Sequence, residues 1–131
     1  MQTEYEMQLH KELEILEETN SQYRKIERRL EQLEDDILWQ NRRRKELNDD
    51  LFESYPQDRK LQQILAGSEE LLGKQISREN SLFQECRENL HEMKKQAEQQ
   101  MDDCREELQR IQKEKNKEGE HNEDNHNDHY V

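Results

Sequence analysis

Proline is almost missing from this chain. The single one, Pro56, separates two long stretches in which nothing breaks a helix. Glycine is nearly as scarce, with three in 131 residues, and turn chemistry is correspondingly thin. Aromatic residues make up 5% and the whole hydrophobic set 28%, too few to fill a broad interior or wall a deep cleft. No segment approaches the roughly twenty apolar residues of a membrane span. There is no glycine-rich phosphate loop, no H-E-x-x-H and no nucleophile elbow. These absences point away from an enzyme.

What the chain does have is charge. Charged residues are 41% of the total and the net charge is −12. That disfavours nucleic acid and anionic membrane surfaces as main partners, because both need cations to meet phosphate. The first residues, MQTEYEMQLHKELEIL, are acidic and amphipathic, unlike a signal peptide. The expected location is the cytoplasm, with or without later export alongside a client.

The sparse apolar residues are ordered. A first run, residues 3–52, carries a stripe of Leu9, Leu13, Leu16, Asn20 and Tyr23, then Ile26, Leu30, Leu33, Ile37, Gln40, Arg44, Leu47 and Leu51. Steps of four and three alternate except at Tyr23–Ile26, where two threes adjoin, which predicts a stammer. The second run reads Leu61, Leu65, Ser68, Leu72, Ile76, Glu79, Phe83, Cys86, Leu90, Met93, Ala97, Met101, Cys104, Leu108 and Ile111. Its consecutive fours at Met93, Ala97 and Met101 predict a stutter. Heptads on both sides of one proline specify an all-α fold, an antiparallel two-helix hairpin or coiled coil. The expected bounds are a helix over 3–52, a turn over 53–57, a helix over 58–115, and a disordered polar tail over 116–131. Ser54 and Gln57 fit a capping box, and Asp49, Asp50 and Glu53 predict fraying before the turn.

The hairpin core is expected at Leu30, Leu33, Ile37, Leu72, Ile76, Phe83 and Leu90. Apolar residues beside the seam, Ile15, Leu38, Ile64, Leu71 and Leu82, would widen it into a face for a further helix. Folding back at Ser54 would set Trp39 against the small patch Ala66-Gly67-Ser68. Trp39 would either pack there or project outward as a partner anchor.

Other groups read as structure rather than chemistry. Cys86 and Cys104 lie about 27 Å apart along one helix, beyond disulfide reach, and are expected as buried stripe residues. His121, His126 and His129 lack the fixed geometry and thiolates of a structural zinc site, so no metal or cofactor is assigned. The cluster Arg42-Arg43-Arg44-Lys45 lies at spacings that allow ion pairs with Glu34, Asp35, Asp36 and Glu46, and a solvated or salt-bridged helix face is expected, with acidic partner surfaces as the next possibility.

The stretches LEDDILWQNRRRKELNDDLFESYPQDRKLQQIL and SLFQECRENLHEMKKQAEQQMDDCREELQRIQ resemble the small helical targeting factors of LXG toxins, which serve type VIIb secretion in Gram-positive bacteria. The resemblance spans about residues 3–115 and is one of length, layout and texture. Its Trp-x-Gly relatives carry that motif in the turn. Here the turn is Ser54-Tyr55-Pro56-Gln57 and Trp39 precedes Gln40-Asn41, so the chain is similar to the companion type without the motif. The resemblance implies an adaptor or chaperone that binds the helical N-terminal domain of an LXG toxin, alongside a second small helical protein. The competing expectation is a structural coiled coil that self-associates into a homo-oligomer. A nucleic-acid accessory role through Arg42–Lys45 is the third.

Overall fold

The computed structural model is an all-helical hairpin. Two long helices, α1 (Glu4–Ser54) and α2 (Arg59–Asp128), pack against each other, with no strand among the described residues. Those are residues 2–128, with side chains described through residue 119.

α1 starts where Thr3 can cap it. The Glu6 backbone N–H donates to the Thr3 hydroxyl at 3.2 Å, satisfying one amide that the first helical turn leaves without a partner. Thr3-Glu4-Tyr5-Glu6 also has the spacing of a capping box.

The turn differs from the expected capping box. Ser54 closes α1 instead of opening α2, and Pro56 lies in the connection. The cap of α2 is Asp58, whose carboxylate accepts the Leu61 N–H at 3.0 Å. Its carboxylate also complements the positive end of the helix. Fraying of α1 is countered from across the turn. The Gln62 side-chain amide donates to the carbonyls of Phe52 (3.2 Å) and Tyr55 (2.8 Å), two acceptors at the helix end. Asp58→Ala should lower stability by about 1 kcal/mol, read as a shift in the urea midpoint.

The chain forms two compact units. The first joins residues 1–23 to residues 93–131, and the second is residues 24–92. In the first unit Leu9 from α1 and Ala97, Met101 and Cys104 from α2 are buried, with Leu13, Leu16, Leu108 and Ile111 half-buried. Burial pushes the Cys104 thiol up from its ordinary value. Met93 is not a seam residue: it is exposed, and half-buried Lys94 precedes Ala97 instead. The step into Ala97 is then three, and the expected pair of fours disappears.

Ion pairs close the first unit. Glu6 is buried and pairs with Lys115, and Arg105 meets Glu17 at 3.6 Å. The Lys115 ammonium holds the Glu6 carboxyl below the usual carboxylate range. A depressed folded pKa means that this contribution is present above the ordinary carboxylate pKa and lost as pH falls through the depressed value. Glu6→Gln should therefore flatten the acid limb of the stability–pH curve and leave its alkaline limb unchanged.

In the second unit Leu65, Leu72, Phe83 and Leu90 are buried, and Leu30, Ile37 and Ile76 are half-buried. Leu33, expected among them, is 52% exposed, and Ile26 and Leu47 are exposed as well. The half-buried and buried positions of α1 here are Glu27, Leu30, Glu34, Ile37, Asn41 and Asn48, then Leu51 and Phe52 at its end. Steps of four and three continue past Tyr23 without a break, so the expected stammer is absent. An overwound turn would have brought Ile26 and Leu33 inward, and the helix keeps its phase instead.

Beyond residue 115 the helix continues where disorder is expected. Residues 116–119 are helical, and α2 is bounded at Asp128. The Lys and Glu residues of 113–118 favour helix and offset the roughly 1 kcal/mol that Gly119 costs. For residues 129–131 the tail expectation lies outside the described residues, as do the side chains of His121, His126 and His129.

Candidate helix-docking face

The surface of the second unit follows from its shifted seam. Because α1 turns Glu34, Asn41 and Asn48 toward α2, the contact between the helices is laced with polar pairs. Arg87 donates to Glu34. The Asn41 amide donates to Glu79 Oε2 at 2.9 Å, and Gln75 donates to the other oxygen of Glu79 at 2.8 Å. Such pairs set register, because a slip leaves each of them without its partner.

The displaced apolar residues face outward. Ile26, Leu33 and Leu47 are spaced by multiples of seven, so they share one side of α1. Leu47 lines an open groove of about 610 Å³ together with Ile64, Gly67, Ser68 and Leu71 of α2. Gln75 also lines it, and Leu82, seven residues on, continues the same side of α2. Of the expected partner residues, Ile64, Leu71 and Leu82 therefore belong together, with Leu71 67% exposed. Leu47 and Leu33 join them, although the sequence pattern assigns both to the seam.

Leu38 does not belong to this face. It lines a second groove, of about 330 Å³, with Ile76, Asn80 and Phe83 on the other flank of the hairpin. Ile15 is exposed but lies in the first unit. Trp39 is 60% exposed and does not pack on Gly67. An added Cβ at Gly67 would meet nothing within 4 Å. The pairs Glu34–Arg87 and Asn41–Glu79 bracket the level of Trp39, about four turns of α2 from Gly67. Folding back at Ser54 sets the register too short, because the hairpin closes nearer residue 60. Trp39 instead carries Arg43 over its ring, 5.2 Å from the centroid.

The basic cluster is a solvated face, with all four side chains exposed. Among the described residues none of Arg42, Arg43, Arg44 and Lys45 forms an ion pair, even though carboxylates stand at helical spacing. Arg43 is on Trp39, and Arg44 donates to Gln75 at 3.5 Å. Glu34 is engaged by Arg87. Cys86, expected in the stripe, is exposed, whereas Cys104 is buried, and both are free.

Among the described residues no group of three His, Cys, Asp or Glu side chains could hold a metal ion. No helix there is long and apolar enough to cross a membrane. No family model, curated protein or solved structure matches this chain.

Proposed function

We propose that the protein is a non-enzymatic helical adaptor that binds a helical client. One observation carries this reading. In the second unit large apolar side chains (Leu33, Leu47, Ile64, Leu71) lie outside the seam, while polar pairs occupy part of the contact between its own helices. Burying such residues on folding would have stabilised the hairpin by about 1.5–3 kcal/mol each. Left exposed on one side, they form a strip suited to a third helix. The resemblance in the sequence narrows the client to the helical N-terminal domain of an LXG toxin, which the adaptor would keep soluble and help direct to type VII export.

The test is affinity purification of the tagged full chain from its host, with mass spectrometry of what accompanies it. Near-equal recovery of a large protein with a helical N-terminal domain supports the reading, provided Leu71→Glu abolishes it. The opposite result is recovery of the bait alone, with sedimentation showing a discrete, stable oligomer. That would replace the adaptor with a self-associating structural coiled coil.

A further inference from the structure

The chemistry of the client helix can be read from the groove, given the helix-binding function above. Gly67 lies in the groove, inside α2, with no positive φ. A glycine there costs the helix about 1 kcal/mol relative to alanine. It relieves no crowding within the hairpin, since a Cβ would meet nothing within 4 Å. The space it leaves open is therefore on the outside, between Ile64 and Leu71, where an approaching backbone would use it.

The groove lining carries a single charged side chain, and it is a cation. Arg44 is the charged residue of the groove lining, and Arg43 is its neighbour. Among the described residues neither has an ion pair, in a chain of net charge −12. We propose that the groove receives an acidic amphipathic helix from a partner protein, its apolar ridge over Gly67 and Ser68 and its carboxylates toward Arg43 and Arg44. A second copy fits less well. Groove-to-groove association about a two-fold axis would bring two sets of these arginines to one interface and join two strongly acidic chains. Nucleic acid would satisfy the arginines but leave Leu47, Ile64 and Leu71 without an apolar counterpart.

The probes are two synthetic helical peptides of about four heptads with the same Leu/Ala ridge, one flanked by Glu and one by Lys. Binding to the full chain is read by fluorescence anisotropy. The Glu-flanked peptide should bind. Arg44→Glu should weaken it about fivefold, the upper range for an exposed ion pair, and should strengthen the Lys-flanked one. Leu71→Glu and Gly67→Leu should each abolish binding. Gly67→Leu should also melt no lower than the parent chain, which separates loss of the site from loss of the fold.

Equal binding of both peptides, or unimpaired binding by Gly67→Leu, overturns the proposal. So does a dimer that Leu71→Glu dissociates, which assigns the face to a second copy. Capture of a single-stranded oligonucleotide that Arg44→Glu abolishes would assign the arginines to phosphate and overturn it equally. If neither peptide binds while the tagged chain still recovers a helical client, the groove assignment falls and the adaptor reading stands. If the client is missing as well, both fall.

Discussion

Phe83→Ala should destabilise the hairpin by about 3 kcal/mol, and Leu33→Ala by less than about 0.5 kcal/mol. Phe83 is buried, so truncation removes apolar contact and leaves a hollow that two rigid helices cannot close. Leu33 is half exposed on the outer strip, and alanine there even favours helix slightly. The pair decides which residues of α1 form the seam. If Ile26, Leu33 and Leu47 faced α2, Leu33→Ala would cost about 2 kcal/mol or more. Chemical denaturation of the two variants, followed by helical circular dichroism, gives both numbers directly. Comparable losses would reverse the seam and remove the apolar face on which the adaptor reading stands. A small loss at Leu33 with unchanged cooperativity would keep that face available to a partner.

The same residues show what the sequence could and could not disclose. Two long heptad runs about one proline specify the hairpin, because little else reconciles 41% charge with ordered apolar spacing. The phase of the seam in 24–52 was not legible, for a physical reason. Ile26, Leu33 and Leu47 stand one residue before Glu27, Glu34 and Asn48, so two registers compete, one burying apolar residues and the other preserving an unbroken heptad. Apolar count favours the first. What decides is across the hairpin, where Arg87 and Glu79 wait for Glu34 and Asn41. No pattern within α1 contains that information. The Trp39 register failed on a related ground, since a turn has width and Ser54 is not its midpoint. Ile64, Leu71 and Leu82 were legible as a face because they flank α2 positions whose phase was never in doubt. The caps at Asp58 and Thr3 are not among the sequence expectations, which placed the cap of the second helix at Ser54.

A second large effect is expected at Asn20, with the opposite sign. Asn20 is 5% exposed in the seam of the first unit, and its side-chain oxygen has no hydrogen-bond partner. A buried, unsatisfied carbonyl costs about 1–3 kcal/mol, and leucine at the same place would add apolar burial instead. Asn20→Leu should therefore raise stability by about 2 kcal/mol, or the melting temperature by about 8 °C for a chain of this size. The cost falls on specificity. A polar residue on a helical seam disfavours other registers and oligomers, which bury it no better. The leucine variant should accordingly populate extra species in sedimentation, whereas the parent chain should not. Asn20→Asp should move stability the other way, since a carboxylate needs hydration that this position denies it. An unchanged or lower melting temperature for Asn20→Leu would mean that the Asn20 oxygen finds a donor in solution, and the argument from its burial would fail. Because Asn20 lies outside the second unit, the more stable variant should retain its affinity for a client helix. Stability can then be raised at Asn20 without altering the strip that recognition uses.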